Sequence, residues 1–260
     1  MRRWADEAWP ELGDLDGLVG LVPVGATEQH GPHLPTGTDT IIATALCERA
    51  SHHTQALVLP AIPIGCSYGH GTELPGTISL TPELLAAVTR QYAEWAAATS
   101  RLRRLLFVNA HFGNAAALGI ATDHLRLHRP DLQVGVVDWW SITPDVAAEM
   151  TVDGDDVHAH RAETSVMMAV APELVHLDRL PTSDDPDRAA GLVFRYTAPA
   201  LSRNGVTGSP SLATAALGER LVAMAVAALA EKLERGRLEE PPLGRAPRPR
   251  LSEGAPAWTL

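Results

Sequence analysis

Aromatic side chains are scarce in this chain, at 5% of 260 residues. A core must therefore be built from Ala, Val, Leu and Ile, which suits helices alternating with buried strands. Cysteine is nearly absent: Cys47 and Cys66 are the only two, too few for a disulfide framework and without the close pairs of a structural zinc site. They read as reduced, buried thiols of a cytoplasmic protein. No apolar run approaches the ~20 residues of a membrane span. The opening MRRWADEAWPELGD carries no apolar stretch after its arginines, so neither a signal peptide nor a membrane partner is expected. Basic excess is lacking too. A net charge of -10 and a pI near 5.5 leave no positive field to release counterions, and nucleic acid is not an expected partner. There is no nucleophile-elbow serine and no Gly-rich nucleotide fingerprint.

What is present is ordinary globular material, 45% hydrophobic and 20% charged, enough to bury a substantial core. Short apolar runs predict strands over 17–26, 56–65, 103–110 and 132–140. Helical spacing predicts helices over 38–51 with Thr38 as N-cap, 81–100 with Thr81 as cap and Pro82 in the first turn, and 113–128 with Asn114 as cap. Further helices are expected in 161–174, starting at its beginning and stopping at Pro172, and over 209–236, while 176–210 carries no readable pattern. In the helix over 81–100, Leu84, Leu85, Val88, Tyr92 and Trp95 share a stripe. The alternation implies an α/β fold, a mostly parallel sheet covered on both faces. With no repeat or linker visible, one domain over 1–240 is the economical reading, followed by a Pro/Arg-rich tail over 241–260.

The chemistry concentrates where strands end. TEQHGPHLPTGTDT (27–40) follows the first strand, at the edge where open parallel sheets bind ligands. Glu28 and His30 are two apart and point the same way in an extended segment, and Asp39 opens the next helix beyond a Gly/Pro-stiffened turn. Two carboxylates and an imidazole are donors that zinc, manganese or iron accept. Taken singly, Asp39 could be a first-turn acid, worth about 0.3–1 kcal/mol, and His30 or His33 a hydrogen-bonded loop histidine. Glu28 resists the plain reading, because an unpaired carboxylate directly after a buried strand is costly. FVNAHFGNAAA (107–117) puts His111 on the same rim, unless it only packs at the turn. DGDDVHAHRAETS (153–165) offers His158 and Glu163 if it crosses the sheet edge, or is otherwise a solvated acidic loop. HGTELPGTISL (70–80) supplies His70 and Glu73 in a Gly-rich loop suited to substrate contact or gating. His52, His53, His124, His128 and His176 read as surface.

At these residues the chain resembles the creatininase (creatinine amidohydrolase) family. VGATEQHGPHLPTGTDT, ELPGTISL, FVNAHFGN, HAHRAETS and GVTGSPSLATAALGERL run in family order from about residue 20 to 230. The resemblance implies a single three-layer α/β/α domain, assembly as a homo-oligomer (a hexamer), and two divalent metal ions, Zn2+ foremost, with Mn2+ or Fe2+ as alternatives. Carried over residue by residue, Asp39 bridges the metals, Glu28 and His111 complete one site, and His30 belongs to the other. Creatininase itself has a glutamate two residues after the strand-end histidine, where this chain has Gly113. Relatives with glycine there recruit the glutamate of the ETS motif, here Glu163, which is assigned both metal and catalytic work. His158 falls where the family keeps a catalytic histidine. Phe112, with His70 and Glu73, is assigned to substrate. The implied reaction is attack of a metal-bridging hydroxide on the carbonyl of a cyclic amide, formamide or peptide, with His158 delivering a proton to the departing nitrogen. The expected partner is thus a small molecule or short peptide. Gly113 points away from creatinine itself, and the branch that trims the mycofactocin precursor is the comparison to keep. The rival from another class is a creatininase-fold protein that binds metal without hydrolysing anything.

Overall fold

The structure, a computed structural model, describes residues 1–244. Most of the expected tail, from 245 to 260, lies outside the described residues. Five parallel strands form one sheet in the order β1-β3-β2-β4-β5: β1 Arg2–Arg3, β2 Val19–Val24, β3 Ala56–Val58, β4 Arg104–Asn109 and β5 Gln133–Asp138. The helices are α1 Thr38–Ser51, α2 Pro82–Ser100, α3 Ala115–His128, α4 Pro144–Met150, α5 Arg161–Val170, α6 Ala198–Leu201 and α7 Ala215–Leu238.

Strand β2 shows why the layers form. All six of its residues are buried, and successive side chains face opposite ways. Val22 and Val24 join Leu85, Ala93, Leu118 and Leu125 of α2 and α3. Val19 and Leu21 join Cys47 and Ala50 of α1 and Leu229 and Leu233 of α7. Helices α1 and α7 thus cover one face, with α5 packed against both, and α2 and α3 cover the other. This is the single three-layer α/β arrangement expected. Among the described residues no helix is long and apolar enough to cross a membrane.

Several element limits differ from the expectations for identifiable reasons. Strand 56–65 shrinks to Ala56–Val58 because Pro60 and Pro63 have no N–H to give a ladder. Thr38 is not a cap. Gly37 holds that place, and the Thr38 hydroxyl donates to Pro35 O at 2.7 Å. Asn114 does hold the N-cap position of α3, but its side chain makes no cap bond. A 3-10 turn over Phe112–Asn114 precedes the helix, and the Asn114 side chain is spent on strand ends, accepting from Cys66 N and donating to Gly25 O, each at 2.9 Å. Thr81 does cap α2, accepting from Leu84 N at 3.2 Å. The stripe on that helix is mostly outside, with Leu84, Val88 and Trp95 exposed, while Ala86, Ala93 and Ala96 let the helix lie close to the sheet. Helix α5 ends at Val170, short of Pro172, and α7 begins only after Thr214 caps it by accepting from Leu217 N. Helix α4 and the edge strand β1 carried no signal that periodicity could separate from loop.

Candidate metal centre

The strand order reverses between β2 and β4, since β2 is followed by β3 on one side and β4 lies on the other. A crevice opens at the C-terminal ends of strands at such a point. The segment leaving β2 folds back on itself, with Glu28 N donating to Thr36 O at 2.9 Å, and this brings Asp39 at the start of α1 beside Glu28 and His30. His111 arrives from the end of β4. His158 and Glu163 come from the segment entering α5, which crosses the rim and is pinned there by paired backbone bonds between His158 and Thr207 at 2.8 and 3.1 Å.

The distances describe one cluster. The two carboxylate oxygens of Asp39 face different histidines, Oδ1 lying 3.2 Å from His30 Nε2 and Oδ2 lying 3.3 Å from His111 Nδ1. Glu28 Oε2 is 3.2 Å from His111 Nε2, and its Oε1 is 3.0 Å from His70 Nε2 and 3.8 Å from His158 Nδ1. Three trios have ligand atoms within 4.8 Å of one another: Glu28–Asp39–His111, His30–His158–Glu163 and Glu28–His70–His158.

Backbone carbonyls set the histidine tautomers, because an oxygen must be met by an N–H. His30 Nδ1 donates to Glu28 O at 3.2 Å, His111 Nε2 to Cys66 O at 3.0 Å and His158 Nε2 to Gln29 O at 2.7 Å. Each neutral ring therefore turns its other nitrogen, with a lone pair, toward the carboxylates. Glu28 Oε2, Asp39 Oδ2 and His30 Nε2 are buried without a hydrogen-bond partner, a costly state for polar atoms that a bound cation would relieve. The donor set fits divalent metals.

Without metal, the same carboxylates favour an added proton on two of these rings, His30 and His111. Burial works against ionising Glu28, but the His111 and His70 imidazoles outweigh it and hold the carboxyl well below its usual range. Burial also opposes charge on His30, yet Asp39 pushes its pKa up to about 9. His111 is likewise raised well above normal, by Glu28 and Asp39 against burial. His158 goes the other way: burial, then His70 and His30, drive its pKa well down, so it stays neutral. Glu163, despite burial, is lowered to about 2 by His160, whose Nδ1 lies 3.2 Å away.

Seven of the residues singled out from sequence (Glu28, His30, Asp39, His70, His111, His158 and Glu163) meet here. Phe112 lines the mouth of a cavity of about 370 Å³ above the cluster, stacked on Trp140 with centroids 4.2 Å apart. Glu73 is placed differently: it is exposed, accepts from Thr72 N at 2.9 Å, and is not among the cavity's lining residues. A side chain at Gly113 would land on Cys66 O and His111 Nε2, so a glutamate there would need a rebuilt turn. Sequence reasoning missed Gln29, His160 and the wall from 184–208 that brings Arg195, Tyr196 and Thr207 to the cavity. Gln29 and His160 stand beside predicted ligands, a signal available in the sequence. The wall had none, because its shape rests on Asp185, which meets Arg188 at 2.5 Å, Ser202 at 2.9 Å and Arg203 N at 2.7 Å.

Comparison with known proteins finds the family described as Creatininase: Creatinine amidohydrolase over residues 5–233. The chain is 37% identical over 226 residues to the mycofactocin precursor peptide peptidase of Mycobacterium ulcerans (strain Agy99), covering 83% of this chain and 81% of that one. It is 30% identical over 255 residues to the creatinine amidohydrolase of Pseudomonas putida, covering 91% of this chain and 94% of that one. The solved structure "Creatininase Mn" superposes with a TM-score of 0.78 at 26% identity, covering 91% of this chain and 99% of the other.

Proposed function

Because the chain belongs to the creatininase family, we propose that it is a metal-dependent amidohydrolase that cleaves a C–N amide bond, with two divalent ions held among Glu28, His30, Asp39, His111 and Glu163. The observation that carries this reading is the aim of Asp39, one oxygen toward His30 and the other toward His111, as a bridging carboxylate requires. Glu28 and His111 would hold one ion and His30 and Glu163 the other. The shortage of room at Gly113 supports Glu163 as the replacement donor. Zinc, manganese and iron all suit this set, and a manganese creatininase is among the similar structures. When bound, the ions supply Lewis acidity, polarising the amide carbonyl and lowering the pKa of water.

The chain's own residues handle the protons. His158 keeps its Nε2 proton on the Gln29 carbonyl, which leaves Nδ1 open as a base toward Glu28 and the cavity. Nδ1 takes the proton released as water attacks and hands it to the departing nitrogen, work typically worth about 10²–10⁴-fold. Glu163 stays ionised throughout, its pKa near 2. The Phe112–Trp140 stack forms an apolar wall that, with His70, contacts the substrate and limits water. Glu73, at the outside of its loop, acts at most on substrate entry.

A short peptide is the substrate class the site suits best. The cavity of about 370 Å³ is in the usual ~300–1000 Å³ range of ligand pockets, and the relative at 37% identity is a peptide peptidase. Screening the zinc- or manganese-loaded protein against short peptides, formamides and lactams, with a chelator control, tests this. Chelator-sensitive hydrolysis of peptides is expected. Binding of metal with no hydrolysis of any class would instead make the chain a non-catalytic member of the fold. The protein is further proposed to act in the cytoplasm, supported by two buried free thiols, and as a homo-oligomer, supported by exposed Val193, Phe194 and Trp95, the count of six being what the family resemblance implies. Mass photometry checks the count.

A further inference from the structure

Gln29 lies between Glu28 and His30, and its buried side chain makes its hydrogen bonds elsewhere, to Gly31, Gly205 and His70. Two backbone groups settle which way its amide points. Gly31 N donates to Oε1 at 2.9 Å, and Nε2 donates to Gly205 O at 3.0 Å. Turning the amide over would set N–H against N–H and oxygen against oxygen. Gly205 allows this approach: its φ is +83°, and a Cβ there would fall on the Gln29 amide.

The second amide proton of Gln29 points at His70 Nδ1, 3.0 Å from Nε2 of the amide. An NH2 group can only donate, so His70 Nδ1 is the acceptor and the ring's proton sits on Nε2. That proton faces Glu28 Oε1 at 3.0 Å. The trio Glu28–His70–His158 therefore looks like a third cation position by distance, but His70 presents a donor to it rather than a lone pair.

We propose that Gln29 is a positioning residue that fixes the Nε2–H tautomer of His70, and that His70 clamps Glu28 Oε1 so that Oε2 stays free for metal. The carboxylate ligand is thereby oriented by an imidazole that is itself oriented by an amide, and metal is confined to the Glu28–Asp39–His111 side and the His30–Glu163 side of the cluster. Outer partners of this kind are worth roughly 10–100-fold in metal affinity. The inference rests on the reading of Glu28 as a metal ligand.

The test is nitrogen NMR of histidine-labelled protein loaded with an NMR-active cadmium isotope, with the His70 signals assigned by their loss in His70→Asn. The expected spectrum has cadmium coupling at His30 and His111, and an uncoupled His70 protonated on Nε2. Gln29→Glu replaces the donor with an acceptor. It should move a proton onto His70 Nδ1 and raise the cadmium dissociation constant roughly 10–100-fold. Cadmium coupling at His70, or a wild-type proton on Nδ1, overturns the proposal, and the wild-type spectrum decides this even if Gln29→Glu does not fold. A folded Gln29→Glu with unchanged tautomer and affinity overturns it as well. Loss of coupling at both His30 and His111 would strike the metal-centre reading itself, which separates the two failures.

Discussion

At the scale of single residues, the decisive feature is which nitrogen of each histidine carries the proton. His158 donates Nε2–H to Gln29 O and is kept neutral by burial and by His70 and His30. His158→Ala should keep its metal and lose about 10²–10⁴-fold in turnover. Elemental analysis beside kinetics checks this, and undiminished hydrolysis removes His158 from the mechanism. Asp39→Ala should lose both ions, since each oxygen serves a different side of the cluster; full occupancy in that variant would end its bridging role. His30 gives a pH prediction. Its pKa is pushed up to about 9, so the metal-free protein carries a proton there near neutrality that must leave before Nε2 can bind a cation. Zinc affinity should therefore climb with pH until about 9, and zinc binding at neutral pH should release protons to a calorimetric buffer series. An affinity flat from about pH 6.5 to about 9 would contradict this. For the metal-free protein the sign reverses. The raised His30 pKa adds stability that is complete below about 6.5 and lost as pH rises through about 9. The ligand types were readable from TEQHGPHLPTGTDT and NAHFGN, but the tautomers were not, because the carbonyls that set them belong to the folded turn.

At the scale of elements, close approach separates two glycines that look alike in sequence. Gly119 sits mid-α3, where an added Cβ would meet nothing within 4 Å, whereas at Gly218 a Cβ would fall on the Ser165 carbonyl where α7 crosses α5. Gly119→Ala should raise stability by about 0.5–1 kcal/mol through helix propensity. Gly218→Ala should lower it by about 1–3 kcal/mol through overpacking. Urea midpoints decide both, and a stabilised Gly218→Ala would mean that the α5–α7 crossing is looser than described. Helices α1, α2 and α3 and strands β2, β4 and β5 were legible because their periodicity or apolar runs are uninterrupted. Strand β3 was overread because LVLPAIPIG is apolar but broken by two prolines. The stripe on α2 was legible as a pattern but not as a buried face, since small alanines rather than Leu84 and Trp95 meet the sheet.

At the scale of the whole molecule, the cluster draws on positions from Glu28 to Thr207, and α7, ending at Leu238, closes the layer beneath it. Deleting 241–260 should leave metal content and melting temperature unchanged, as the proposed boundary at 240 requires; a large drop in either would move that boundary. The amino-acid order alone determined the α/β class, the parallel sheet and the identity of the candidate ligands, because buried strands need apolar runs and metals need particular donor atoms, and both are properties of local sequence. Only the tertiary structure decided that Asp39 faces two histidines, that Gln29 governs His70, that Glu73 stays outside, and that 184–208 walls the cavity. Those outcomes depend on which backbone groups from distant segments come within hydrogen-bonding distance, and no local pattern encodes that.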